Sequence, residues 1–179
     1  MENYIERVLY THEDLVKRCA ELGSQISKEY DGKRPLLIGL LKGSIPFMAE
    51  LIKHIDIDIE VDFMKVSSYN GAHSTGSVRI IADTSTSLKN RDVLIIEDIV
   101  DTGLTLSEVI KVLRAKGAKS IEICTLFDKK EARKFDYVMV KYVGFQIPNE
   151  FIVGFGLDYN ELYRNLPYIG VLKKDIYEK

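Results

Sequence analysis

The chain has 179 residues, of which 46% are hydrophobic and 29% charged, enough apolar material for one domain with a sizeable core. Its 25 Lys and Arg stand against 27 Asp and Glu, a net charge of -2, and the basic residues are dispersed, which argues against a dedicated nucleic-acid binder. No apolar run approaches the roughly 18 residues of a membrane span, and the first ten residues lack a signal peptide's basic-then-apolar layout. Cys19 and Cys124 have no metal-ligand spacing. The expectation is a cytosolic protein with two buried free thiols.

Thr11-His12-Glu13-Asp14 reads as a capping box opening a helix toward Tyr30, with Leu15, Cys19, Leu22 and Ile26 on one face. Turn chemistry at residues 31–35 precedes Leu36 to Leu41, a continuous apolar run expected of a strand buried on both faces. Ser44 and Pro46 start a second helix that runs to about His54. From Ile57 to Phe63 apolar and acidic residues alternate, which predicts a strand with its apolar face in the core and its acids in water. The stretch from Ser67 to Ser77 is rich in small and turn-forming residues and about twice the median loop length, as a lid or a disordered loop would be. Strand-like runs follow at Val78 to Ala82, Val93 to Ile96 and Ile121 to Phe127, the last two separated by a helix from about Thr105 to Lys116 that stops at Gly117. This rhythm implies an α/β fold with a mostly parallel sheet and ligands at the carboxyl ends of its strands.

The run from Val93 to Leu106 carries the chemistry: a buried strand leads into Glu97, Asp98 and Asp101, then a small-residue turn and a helix start. Thr102, Gly103 and Thr105, with Leu104 between them, can converge N–H groups and hydroxyls on a phosphate at a helix N-terminus. Glu97 and Asp98 could accept hydrogen bonds from the vicinal hydroxyls of a ribose, and Asp101 would lie near the sugar, positioned for proton transfer. An acidic strand end also holds magnesium in P-loop enzymes, but no Gly-x-x-x-x-Gly-Lys-Ser/Thr segment exists here. Acids joined to Thr-Gly-x-Thr are similar to the signature of the type I phosphoribosyltransferases. Leu41-Lys42-Gly43-Ser44 resembles the pyrophosphate loop of the hypoxanthine-guanine members, and the segment from Val143 to Pro167 resembles their base-binding part.

The resemblance spans about Ile5 to Lys173 with its motifs in order, and what it implies is specific. The fold would be that of the type I phosphoribosyltransferases in a single domain, a central sheet flanked by helices with a small hood built from parts of both termini. The reaction would be magnesium-dependent transfer of phosphoribose from phosphoribosyl pyrophosphate to hypoxanthine or guanine in a homo-oligomer, dimer or tetramer, with no nucleic acid or membrane as partner. Lys42, Gly43 and Arg164 would meet pyrophosphate, across a cis Leu41–Lys42 peptide. Glu97, Asp98 and Asp158 would stand on the metal side. Phe151 would stack on the purine, the Ile152 backbone would meet its edge, and Lys129 would meet O6, although Lys130 stands where relatives often have proline. Asp101 and Lys129 would be the catalytic pair, and Ser68-Tyr69 would close as a lid. Two rivals remain: transfer to another base such as xanthine or a pyrimidine, the latter disfavoured by the segment from Phe151 to Asp158, and an RNA-binding regulator that keeps the fold without turnover.

Overall fold

The computed structural model describes residues 2–68, 78–147 and 150–177. In chain order they form β1 (Ile5–Tyr10), α1 (His12–Glu29), β2 (Leu36–Leu41), α2 (Ser44–Leu51), β3 (Glu60–Ser68), β4 (Val78–Ala82), β5 (Asp92–Val100), α3 (Leu104–Ala115), β6 (Ser120–Asp128), β7 (Tyr142–Gln146), β8 (Ile152–Val153), β9 (Ile169–Leu172) and α4 (Lys174–Tyr177). The helix at the start is capped as the sequence predicts: the Asp14 N–H donates to Thr11 Oγ1 at 3.2 Å, and the Thr11 N–H donates back to the Asp14 carboxylate at 3.0 Å. At the end of α3, Gly117 takes φ +85°, the left-handed turn that lets the chain leave the helix toward β6.

Six strands form one sheet in the order β4-β3-β2-β5-β6-β7, parallel throughout except for β4, which pairs antiparallel with β3. Neighbouring residues on a strand face opposite layers, and the two layers are distinct. Leu37, Leu94 and Ile96 pack with α1 and α2, whereas Leu36, Ile38, Val93 and Ile95 pack with α3. These seven side chains are fully buried, each worth about 1.5–3 kcal/mol of apolar transfer. Cys19 and Cys124 are both free and buried in the first layer, and burial pushes the Cys19 thiol up to about 12. No helix among the described residues is long and apolar enough to cross a membrane.

The expectation for residues 57–63 needs correction. The strand begins at Glu60, and it is the apolar Val61 and Phe63 that are exposed, at 41% and 36%, while Asp62 is half-buried. Asp62 accepts N–H bonds from Ser85 and Thr86, both at 2.9 Å, so its carboxylate anchors the following loop instead of facing water. Val61 and Phe63 lie on the face of β3 opposite Met64, which is fully buried in the α3 layer.

A second, antiparallel sheet of three strands, β1-β9-β8, joins the start of the chain to its end. It forms the hood, with Val153, Tyr163, Leu166 and Leu172 as its own small core. A run of left-handed residues, Gly154, Phe155, Gly156, Asn160, Glu161 and Tyr163, folds the segment after β8 back onto the end of β2.

Candidate active site

The carboxyl ends of β2, β5 and β6 face the hood, and each ends in a segment singled out by the sequence. Beyond β5, the turn at residues 101–103 and the start of α3 enclose a hollow of about 100 Å³ lined by Glu97 and by residues 99–106. Gly103 sits at φ +83°, the Thr102 hydroxyl accepts from the Leu104 N–H at 3.3 Å, and Gly103 O receives the Ser107 N–H at 2.9 Å. A turn of this kind at the mouth of a twelve-residue helix gathers N–H groups at the positive end of its dipole, which suits a phosphate. A larger open hollow, about 570 Å³, lies beside Ser24, His54 and Asp56, before the starts of β2 and β3, and shares no residue with this turn.

Strand alternation separates the two acids of β5. Glu97 lines the hollow under the turn, while Asp98 points to the other layer, against Gly43. A Cβ on Gly43 would overlap the Asp98 carboxylate, so the loop after β2 runs directly over that acid. Burial raises the Glu97 carboxyl well above its ordinary range, the neighbouring Asp98 adding to the effect, and its Oε2 has no partner among the described residues. Burial likewise pushes Asp98 up to about 6, opposed by the N–H of Ile99 at 2.9 Å and by the Arg164 guanidinium, with Asp158 adding to the rise.

The loop after β8 delivers the remaining charges. Arg164 donates to Gly156 O at 2.7 Å and pairs with Asp158 at 2.8 Å. Lys42 bonds Glu161 at 2.7 Å. A Cβ on Gly156 would overlap the carbonyl oxygen of Gly43, so the two backbones are in contact. Lys42, Gly43, Asp98, Asp158 and Arg164 therefore form one cluster, and the Leu41–Lys42 peptide within it is cis. Among the described residues no group of three or more potential metal ligands occurs. Asp98 and Asp158 are nonetheless the donor type a magnesium ion takes, since that ion is held by one or two carboxylates, waters and substrate phosphates.

On the third side, Lys129 at the end of β6 donates to Glu150 O at 3.0 Å, immediately before Phe151, whereas Lys130 is exposed in a short 3-10 turn. Phe151 is half-buried, stacked on Tyr177 at 4.7 Å between centroids and edge-on to Tyr159 at 5.5 Å, which leaves at most one face for a planar ligand. Ile152 is buried in β8, paired with Val171. Asp101 is exposed in the turn, and its side chain makes no hydrogen bond among the described residues. Ser68 ends β3, while Tyr69 lies outside the described residues.

One residue of this region was not legible in the sequence. Arg133 sits in a run of charges that reads as solvated surface, yet its side chain is only 11% exposed. It pairs with the buried Asp128 at the end of β6 and donates to Asp101 O at 3.2 Å and Val138 O at 2.9 Å, tying the phosphate-type turn to the neighbouring strand. Replacing it with Met leaves Asp128 buried without its partner. The expected cost is about 3 kcal/mol, read by denaturant unfolding.

Comparison with known proteins agrees with this geometry. A family model for the phosphoribosyl transferase domain matches residues 8–160. The chain is 56% identical to the hypoxanthine-guanine phosphoribosyltransferase of Streptococcus mutans, over 100% of this chain and 99% of that protein. It is 54% identical to that of Streptococcus thermophilus, with the same coverage. Among solved structures, a hypoxanthine phosphoribosyltransferase from Staphylococcus aureus superposes with a TM-score of 0.95 at 53% identity, covering 100% of this chain and 97% of that one. A hypoxanthine-guanine phosphoribosyltransferase from Bacillus anthracis follows at 0.90 and 42%, covering 94% and 99%. With full-length identity above one half and the same fold, the chain belongs to the hypoxanthine-guanine phosphoribosyltransferases of the phosphoribosyl transferase family.

Proposed function

We propose that this chain, as one phosphoribosyltransferase domain, converts hypoxanthine or guanine and phosphoribosyl pyrophosphate into the purine nucleotide and pyrophosphate. The observation that carries the reading is the meeting of three chemistries at one set of strand ends: a phosphate-type turn, a cluster of cations and acids, and an aromatic ring beside a lysine.

In this reading the turn from Thr102 to Thr105 holds the 5'-phosphate, and Glu97 and Asp98, on opposite faces of β5, approach the ribose from its two sides. Lys42, the Gly43 backbone and Arg164 hold the pyrophosphate. Cleavage at the anomeric carbon develops positive charge on the sugar ring, as in glycoside hydrolysis. Asp101, exposed at the turn, accepts the proton from the purine as its nitrogen attacks. Lys129, close to Phe151, stabilises charge at O6; its position on Glu150 O supports it over the exposed Lys130. Phe151 stacks on the base and the Ile152 backbone meets its edge. A magnesium ion at Asp98 and Asp158, without Glu97, which β5 turns to its other face, would supply positive charge to the departing pyrophosphate. Ser68 and Tyr69 would close over the centre and exclude water.

The raised Asp98 carboxyl makes the acid cluster measurable. Its folded value lies above its unfolded one, so its contribution to stability is fully present below about pH 3.8 and is lost as pH rises through about 6. The metal-free protein is expected to lose about 3 kcal/mol from this source between pH 4 and 7. Asp98→Asn should flatten that slope in thermal melts, and magnesium should raise Tm more at pH 7.5 than at pH 5.

We further propose a cytosolic homo-oligomer. The two free thiols fit a reducing compartment, and the uncovered apolar Val61 and Phe63 on β3, with Ile81 on β4 at 54% exposure, offer a surface for a second copy. The function is tested by following pyrophosphate release with phosphoribosyl pyrophosphate, magnesium and, in separate reactions, hypoxanthine, guanine, xanthine, adenine and uracil. Turnover with hypoxanthine and guanine is expected; turnover only with another base, or with none, overturns the reading.

A further inference from the structure

Glu161 stands where no role has been assigned to it, yet it bonds both cations of the pyrophosphate cluster. Its Oε2 accepts from Lys42 at 2.7 Å and its Oε1 pairs with Arg164 at 3.4 Å. The turn that carries it is built, not loose. Tyr159 and Leu162 bridge antiparallel, with reciprocal N–H···O bonds of 3.2 and 3.0 Å, and the two residues between them, Asn160 and Glu161, both lie at positive φ, +51° and +65°. Two-residue turns of this hand favour Asn then Gly, because the second position is costly for a residue with a Cβ. Here a glutamate occupies it, with its N–H held by Asp158 at 2.8 Å and its carboxylate projected onto the two cations. Strain of that kind is retained where the side chain does something a glycine cannot.

We infer that Glu161 is a resident anion of the pyrophosphate site: its carboxylate occupies Lys42 and Arg164 when the site is empty, is displaced as pyrophosphate enters, and returns as pyrophosphate leaves. The inference rests on the reading of Lys42 and Arg164 as pyrophosphate ligands. A group that must be displaced lowers the apparent affinity for the ligand by the fraction of molecules in which it is seated. Lys42 and Glu161 are at least half exposed, so each pair is weak and the displacement is easily reversed. The device would keep two cations neutralised in the empty enzyme and limit how tightly the product is held.

The test is calorimetric titration of magnesium pyrophosphate into the wild type, Glu161→Gln and Lys42→Ala. Glu161→Gln is expected to bind pyrophosphate about three- to tenfold more tightly, an effect that damage to the fold would not produce. Lys42→Ala is expected to weaken binding by tenfold or more. Unchanged or weaker binding in Glu161→Gln beside a clear loss in Lys42→Ala overturns the resident-anion role alone. Unchanged binding in Lys42→Ala overturns the pyrophosphate assignment, and the inference with it.

Discussion

Replacing Asp101 with Asn is expected to lower turnover by about 10²-fold or more while leaving the KM for phosphoribosyl pyrophosphate within about threefold. The two side chains have the same shape, and both accept hydrogen bonds, but only the carboxylate takes a proton. The separation of kcat from KM follows from the local structure. The position of residue 101 is fixed through its backbone, whose carbonyl accepts from Arg133, and not through its side chain, which makes no hydrogen bond among the described residues. An amide at this position therefore leaves the turn from Thr102 to Thr105, the proposed phosphate site, in place. Steady-state kinetics with varied phosphoribosyl pyrophosphate decide the matter. A turnover near that of the wild type would remove Asp101 from proton transfer, and an equal rise in KM would make it a binding residue instead.

Gly156→Ala is the second large effect. Gly156 lies at φ +101°, where a side chain is strained whatever the space, and a Cβ there would overlap the backbone carbonyl of Gly43, which cannot rotate away as a side chain could. The same residue accepts the Arg164 guanidinium at 2.7 Å and donates its own N–H to Arg164 O at 3.0 Å. Relief of the overlap must push the loop after β2 and the hood apart and carry Arg164 with them. The expected cost is about 4 kcal/mol, or a fall in Tm of about 8–16 °C for a chain of this size. Whatever protein remains folded should bind phosphoribosyl pyrophosphate at least about tenfold more weakly. Gly32→Ala provides the comparison, since Gly32 is also left-handed, at φ +70°, but a Cβ there meets nothing within 4 Å. Its cost should be the conformational part alone, about 1 kcal/mol. Equal losses in the two variants would show that the contact with Gly43 carries no energy.

What could be read from the sequence follows the strength of each local signal. The buried strand β2 and the capped helix α1 lie within a residue of where their patterns place them, because continuous burial and a reciprocal cap are specified by adjacent residues. The turn after β5 was legible for the same reason: acids, Thr, Gly and Thr are contiguous, and their chemistry is local. β1 carries no such signal, since its burial alternates poorly and its partner β9 lies more than 150 residues away. The alternation in residues 57–63 misleads because it reports two faces without saying which one a neighbour covers; α3 covers the face that carries Met64, leaving Val61 and Phe63 exposed on the other. Arg133 was hidden for a related reason. Its burial depends on Asp128 and two carbonyls brought together by the fold, and nothing in a run of charges marks the one that turns inward. The cluster of Lys42, Asp98, Asp158 and Arg164 draws on three separated segments, and only the resemblance to a family joined them before the structure did.

The central claim is that one site, at the ends of β2, β5 and β6 under the hood, holds phosphate, pyrophosphate and purine together. It is tested most directly by a crystal structure of the protein with magnesium, phosphoribosyl pyrophosphate and a purine analogue whose attacking nitrogen is replaced by carbon. The account predicts the 5'-phosphate on the N–H groups of residues 102–105, the pyrophosphate between Lys42 and Arg164, and the base against Phe151 with its oxygen toward Lys129. A phosphate bound away from that turn, or a base seated elsewhere than beside Phe151, would contradict it.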